Sequence, residues 1–366
     1  MRLATSLLFF CATLFCYAEA RACTAAVVAA KASKERATIL WKNRESNYYR
    51  TCIRYLTSEK YAYLGVVRHS DPEAGVLAGV NEVGFGIVNT ATRNLPADKS
   101  LEGTGSRTPF MRDALIYCAT IDEFEEFVRN YKRGYKFTTN VGVGDASGGA
   151  AFFEIWGDGY RRYDVDKMER GFDFRSSFSF AGDMERLGTS RRRYDAMMEQ
   201  AKDVRKFSAE DFYRYARTYY VAGKGDALKN EDKLWNHRYE TVPHRSTVGS
   251  FSVVCGKHPR ILVAMGYPAA CPAIPVWVEA KGEIPECLSG TASHKLGRKF
   301  IEAAYIKVKS KRYYLNKPLV REALKVDTKL PFPEQMPRNI GKYNRKADAK
   351  FAKHKERIEA LIANYK

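Results

Sequence analysis

The stretch "ACTAAVVAAKASKERATILWKN", residues 22–43, decides the reading of this chain. Small and β-branched residues run from Thr24 to Ala30, a polar turn follows at Lys34-Glu35-Arg36, and "ATILWKN" (37–43) is a second β-branched and aromatic run. Two such runs around a short turn predict a β-hairpin that begins on Cys23. In front of it, "LLFFCATLFCY" (7–17) is an apolar core of signal-peptide length, with Arg2 ahead of it and Ala20 and Ala22 as small residues at the minus-three and minus-one positions. Residues 1–22 are therefore expected to be an export signal removed by a signal peptidase. The apolar run is too short for the roughly 20 residues of a membrane anchor. The mature chain would start on Cys23 and be secreted or periplasmic.

Composition narrows the class. Of 366 residues, 45% are hydrophobic and 28% charged, which suits a globular domain with a full core and not an integral membrane protein. The formal charge is +19, and residues 291–366 hold 20 Lys plus Arg against 7 Asp plus Glu. An exported chain has little use for a nucleic-acid tail, so no nucleic acid is expected as a partner. The basic C-terminal region is expected to be a solvated helical face, able to contact a membrane surface or an anionic polymer. Of eight cysteines, six follow residue 22, with no CxxC pair to indicate a zinc site or a dense disulfide scaffold.

Along the chain, "YAYLGVV", "GVLAGV" and "FGIVNTA" predict strands, and "TTNVGVGDASGGAAFFEIWGDG" predicts two strands around a Gly-rich turn at 145–149. "RDALIYCATIDEFEEFVRNYK" has helical periodicity with a fresh turn opening at Ile121-Asp122. "SRRRYDAMMEQAKD" and "SAEDFYRYARTYY" predict helices, the second with Ser208 as N-cap and an acid at the third helical position. "STVGSFSVVCG" and "RILVAMGYP" predict a strand pair, beyond which the chain turns polar and helical. In the last segment Phe351, Ile358, Leu361, Ile362 and Tyr365 share one stripe, which predicts docking on the body. Strands, helices, strands, helices make an α+β domain.

The chemistry that remains is narrow. There is no HExxH, GxSxG or GxxxxGK[ST], the six histidines show no ligand spacing, and no metal or cofactor is implied. Cleavage after Ala22 would place an α-amino group, of ordinary pKa about 7.7–8.0, on the same residue as a thiol of about 8.5. The amine could take the thiol proton and later return it to a leaving nitrogen, so that one residue supplies nucleophile and base. The Tyr- and Arg-rich "YRRYDVDKMERGFDFR" (160–175) suggests an anionic substrate.

On "CTAAVVAAKASKERATILWKNRES", "AGVNEVGFGIVNTA", "GVGDASGGAAFFE" and "TVGSFSVVCG…VAMGYPAACPAIPVWV", in that order from Cys23 to about Trp277, the chain resembles the N-terminal-nucleophile cysteine hydrolases. The nearest branch is the isopenicillin-N acyltransferase-like peptidases, with a more distant similarity to the choloylglycine hydrolases. The resemblance implies a four-layer αββα sandwich with C-terminal helices, and three segments: 1–22 signal peptide, 23–290 catalytic domain, and 291–366 a basic, mainly helical extension packed on it. It also implies an amidase acting on a small-molecule N-acyl amide.

By the same resemblance Cys23 is the nucleophile. Lys42-Asn43-Arg44-Glu45 is the basic–Asn–acid motif, in which Lys42 or Arg44 steers the thiolate and Glu45 orients the new amine. Asn89 donates to the oxyanion. Asn81, Arg175, Ser177 and Arg245 are expected at the substrate, with Ser177 standing where the family has Asn. Two alternatives stay open: an N-acyltransferase using the same acyl-enzyme, and a lipid-anchored or inactive binding protein, in which Cys23 would carry lipid on its sulfur.

Overall fold

The computed structural model describes residues 23–96, 107–131, 137–157, 159–229, 240–309, 312–326 and 330–365; the expected signal, 1–22, lies outside them. The chain opens with β1 (Thr24–Val28), β2 (Ile39–Glu45), β3 (Thr51–Leu56), β4 (Tyr63–Arg68), β5 (Asp71–Asn81) and β6 (Gly86–Ala91). Helices α1 (Arg107–Tyr117) and α2 (Ile121–Asn130) follow, then β7 (Thr139–Gly144), β8 (Ala150–Trp156), β9 (Gly159–Asp164) and β10 (Phe172–Arg175). Next come α3 (Ser190–Gln200), α4 (Ala209–Tyr215), the two-residue strands β11 (Tyr220–Val221) and β12 (Gly225–Asp226), then β13 (Thr247–Val254), β14 (Arg260–Met265) and β15 (Ile274–Trp277). The C-terminal part holds α5 (Glu286–Ser289), α6 (Ala292–Ala304), β16 (Tyr305–Lys309), β17 (Arg312–Leu315), α7 (Lys317–Lys325) and α8 (Ile340–Asn364).

Two antiparallel sheets carry the architecture. Sheet one runs β10-β1-β2-β13-β14-β15 and sheet two runs β3-β4-β5-β6-β7-β8-β9. The expected hairpin is β1–β2, with Ala25 opposite Lys42. Period-two alternation sorts its side chains. Ala25, Val27 and Leu40 join the core between the sheets, while Ala26, Val28, Ile39 and Trp41 pack outward against Met197 of α3 and Phe212 of α4. Trp41 stacks on Phe212 at 5.2 Å between ring centroids, and its indole N–H donates to Ser250 Oγ at 2.9 Å. On the far side of sheet two, Phe110 and Leu115 of α1 and Phe124 of α2 cover Val67, Ile87, Val141 and Phe153. The layers are thus helix, sheet, sheet, helix: the αββα sandwich expected from the sequence.

The sheets approach closely where sheet two has no side chains. A Cβ on Gly142 would stand 2.8 Å from Val27 Cγ2 of β1, and one on Gly86 would stand 2.6 Å from Cys255 Sγ. Gly86 pairs with Gly144 and Val88 with Gly142, so the bare positions form one patch across β6 and β7. "GFGIVN" and "VGVG" are glycine-rich because two pleated surfaces touch there.

The long helical stretch of 112–132 is two helices. Thr120 caps the second by accepting from Glu123 N, the fresh turn expected at Ile121. The predicted N-cap at Ser208 forms a capping box with Asp211. The C-terminal part differs from the expected run of helices, since β16 and β17 pair as a hairpin between α6 and α7. In β16 Ile306 and Val308 are exposed beside lysines. Of the final stripe, Phe351, Ile358 and Ile362 enter the core and Leu361 packs on it, whereas Tyr365 stays exposed.

Enlarging a bare position should force the sheets apart. Gly142→Val is expected to lower stability by about 1–3 kcal/mol, as overpacked cores do. Denaturant midpoints test this, with Gly188→Val as control: no atom lies within 4 Å of a Cβ built there, but its φ of +53° adds backbone strain alone.

Candidate active site

The residue that precedes β1 and the last residue of β2 meet. The Glu45 backbone N–H points at Cys23 Sγ at 3.5 Å, and the thiol lies 3.9 Å from the Glu45 carbonyl oxygen. All six described cysteines are free thiols, and Cys23 is the one that is partly exposed; the other five are buried. Burial pushes Cys118 and Cys271 up to about 12 and raises Cys52, Cys255 and Cys287 as well. Those five are poor nucleophiles, since the thiolate is the reactive form.

Lys42 lies on the face of β2 that looks into the sandwich, one strand from Cys23. Its ammonium crosses to sheet two, donating to Asn89 Oδ1 at 2.5 Å and to the Leu77 carbonyl at 3.0 Å. An ammonium has no acceptor, so the Asn89 amide must turn its oxygen to Lys42 and its NH₂ away. That NH₂ donates to Thr139 Oγ1 over 3.2 Å. Burial lowers the Lys42 pKa to about 8, helped by Arg44 and Arg107, while Cys23 works against the shift. Two cations absent from the sequence reading also feel Cys23: Arg107, and Arg193 of α3, which burial lowers to about 10. Arg193 donates to Ser176 Oγ at 2.8 Å. Its signal was in the sequence, because it shares the buried face of α3 with Ala196 and Met197 at helical spacing.

The Glu45 carboxyl faces the other way and is enclosed by donors. Asn43 Nδ2 and Thr247 Oγ1 reach Oε1 at 2.6 and 2.7 Å, and Ser246 Oγ reaches Oε2 at 3.0 Å. His244 Nε2 lies 3.2 Å from Oε2. These donors favour the anion, but burial outweighs them and raises the pKa to about 8. Burial and Arg193 hold His244 well below its usual value, hence neutral. Beside this cluster Thr24 Oγ1 and Asn43 Oδ1 are buried with no hydrogen-bond partner among the described residues. They are cross-strand neighbours, one residue along from Cys23.

The remaining expected residues divide. Ser177 is buried and its Oγ has no partner among the described residues, while its neighbours Ser176 and Phe178 are tied by their carbonyls to Asn140 Nδ2 at 3.3 and 2.8 Å. Arg245 is exposed and lies 4.2 Å over the Tyr313 ring, on the wall of a cleft. Arg44 is turned to its own loop, donating to the Tyr48 carbonyl and Ser46 Oγ, so Lys42 is the motif cation on the Cys23 side.

Two expectations are corrected. Asn81 is a turn clasp: its amide donates to the Leu115 and Cys118 carbonyls and accepts from Phe85 N, fastening α1 to the β5–β6 turn. Arg175 is fully buried in an ion pair with Glu154 at 2.9 Å and with Asp173, so its place is structural: it clasps sheet two to β10. Arg162 of the same stretch is likewise paired, with Asp122, Glu125 and Asp164.

No family model and no curated protein matches the chain. Solved structures do resemble it. A Caenorhabditis elegans N-acylethanolamine-hydrolyzing acid amidase ortholog is 16% identical, with 63% of this chain and 92% of that one covered and a TM-score of 0.43. A variant of the conjugated bile acid hydrolase from Clostridium perfringens is 12% identical over 70% and 92%, at 0.44. Penicillin V acylase from Agrobacterium tumefaciens is 11% identical over 69% and 86%, at 0.39.

Glu45 makes a pH prediction. The fold holds its proton up to about pH 8, whereas a free Glu releases it near 4.5. Between these the folded state binds the extra proton, so stability falls as pH rises through that window. Lys42 acts oppositely, since an unfolded chain keeps its proton to 10.5 and the fold releases it near 8, so stability returns above that. Glu45→Gln should flatten the decline below about pH 8 and leave the rise above it. Urea midpoints across the range check this, and parallel curves for both proteins would show that Glu45 is ionised in the fold.

Proposed function

We propose that this protein is a cysteine amidohydrolase that cleaves a linear N-acyl amide through a thioester on Cys23. The observation that carries the reading is the setting of that thiol. It is the partly exposed one among the described cysteines, held at the Glu45 amide and within electrostatic reach of Lys42, Arg107 and Arg193. Choice of an amide as substrate rests on the sequence resemblance to N-terminal-nucleophile hydrolases.

In this reading removal of residues 1–22 on export frees the Cys23 amine. That amine would emerge beside Thr24 and Asn43, whose partnerless oxygens suit an ammonium, with the Glu45 carboxyl behind them. The neutral amine takes the Sγ proton and sulfur bonds to the carbonyl carbon. The carbonyl electron pair moves onto oxygen, where the Asn89 NH₂ and Ser177 Oγ are the donors at hand. Collapse breaks the C–N bond, and the ammonium protonates the departing nitrogen. The amine then takes a proton from water, whose oxygen bonds to the thioester carbon; the C–S bond breaks, the acid leaves, and the ammonium returns its proton to Sγ. Lys42 fixes the Asn89 amide and keeps positive charge near the sulfur.

Turnover of an N-acyl amide panel tests the proposal. Cys23→Ala should abolish hydrolysis. Lys42→Met should lower kcat by about 10²–10³, the loss typical of one transition-state donor, with KM little changed. Equal turnover by intact protein and Cys23→Ala would end the reading. An added amine that captures the acyl group faster than water would make the enzyme an acyltransferase.

A further inference from the structure

The helices of the basic C-terminal part bury their apolar faces, and its hairpin does not. Leu319 and Val320 of α7 and Phe351, Ile358 and Ile362 of α8 all turn into the core. Among the described residues the exposed large hydrophobics are Tyr117, Met184, Ile306, Val308 and Tyr365. A lone exposed apolar side chain is ordinary. Ile306 and Val308 differ, because they stand two residues apart on one strand, β16, and so point to one side of it. They are 37% and 51% exposed.

The hairpin has two unlike faces. At its base Tyr305 and Leu315 pair across the strands and join the core. On the same face Tyr313 packs against that core, with Arg245 4.2 Å over its ring. Strand alternation puts Ile306 and its cross-strand partner Tyr314 on the other face. The register shifts between Lys307 and Lys309, so Val308 stands at a bulge, where the strand bends. Lys307, Lys309 and Arg312 are exposed around this apolar strip. No Asp or Glu occurs in the sequence from Ala303 to Arg321.

An apolar strip ringed by cations, with no acid on its own hairpin, fits one kind of partner. A second copy of the chain would set like charges against each other and be repelled. An anionic polymer would meet the cations and leave Ile306 and Val308 in water. A bilayer with anionic headgroups meets both. Apolar side chains enter the edge of the acyl region, lysine stems lie along it with their ammonium groups at the phosphates, and tyrosine rings suit the interface. We propose that the β16–β17 hairpin is a membrane foot, which docks this protein on an anionic lipid bilayer through Ile306 and Val308, with Lys307, Lys309 and Arg312 as its headgroup contacts. The membrane contact expected of a helical face thus belongs to a β-hairpin. The foot uses no residue assigned to the reaction, so it stands or falls apart from the amidohydrolase reading.

Co-sedimentation with lipid vesicles tests the foot. The exported protein, its first residue read by intact mass, is mixed with vesicles of phosphatidylcholine alone and of an equal mixture with phosphatidylglycerol. It should bind the mixed vesicles about tenfold more tightly or better, and added salt should erode the difference. Ile306→Ser combined with Val308→Ser should weaken that binding about tenfold, and Lys307→Gln combined with Lys309→Gln should do the same. Both proteins should keep their melting temperature, because all four side chains are exposed. Val308→Trp should bind more tightly, and its added fluorescence should shift to the blue on the mixed vesicles. No binding to either vesicle, or equal binding to both, would overturn the proposal. Full binding by the Ile306→Ser, Val308→Ser protein would also overturn it, and would mark a surface held by charge alone, as an anionic polymer holds one. Pelleting without vesicles would assign the strip to a second copy of the chain and overturn it as well.

Discussion

A lysine that spans the gap between two sheets organises this molecule. Lys42 belongs to sheet one, and its ammonium finds its partners, Asn89 Oδ1 and the Leu77 carbonyl, on sheet two. A buried charge is expensive unless its hydrogen bonds are met. Here two are met, by the paired strands β5 and β6, which must lie at one distance and in one register. Gly86 and Gly142 allow that distance, since a side chain at either would hold the sheets apart. Packing and site geometry are therefore one constraint: the contact that lets sheet two approach also sets the cation near the sulfur.

From that constraint the division of labour along β2 follows. Alternation sends Lys42 inward with Leu40, while Asn43 turns outward, where it meets Glu45. The two titratable groups of the motif thus stand in separate dry environments on opposite faces of one strand. Both are displaced toward neutrality by burial, Lys42 downward and Glu45 upward, each to about 8. A strand that places one charge on each face beside a thiol costs stability, a pattern expected where function constrains a core. The polar loop at Ser176–Ser179 is held to sheet two by Asn140 and to the segment after β6 by Asn94, which gives a side-chain hydroxyl at Ser177 a fixed position without a strand of its own.

Local patterns made much of this legible. The β1–β2 hairpin, the Thr120 break between α1 and α2, and the Ser208 cap are each written in a few adjacent residues, and each forms. Cys23, Lys42, Glu45 and Asn89 were found through ordered motifs, and the fold brings all four to one region. Less legible was whatever depends on long-range pairing. Arg175 and Asn81 carry the residue types of a site, yet their partners, Glu154 and the α1 carbonyls, are remote in sequence. Arg107 and Arg193 reach Cys23 only once helices dock. The basic C-terminal part reads as a surface because its lysines dominate the composition; α6 lines a cleft through five residues that composition does not single out.

The proposed chemistry stands on Cys23 as an N-terminal residue acylated on its sulfur. Mass spectrometry of acid-quenched protein during turnover of an N-acyl amide reads it most directly. The prediction is one acyl mass on the peptide that begins at Cys23 with a free amine, removed by hydroxylamine. A chain that starts at another residue, a diacylglyceryl mass on the sulfur, or an acyl group on a different residue would contradict it.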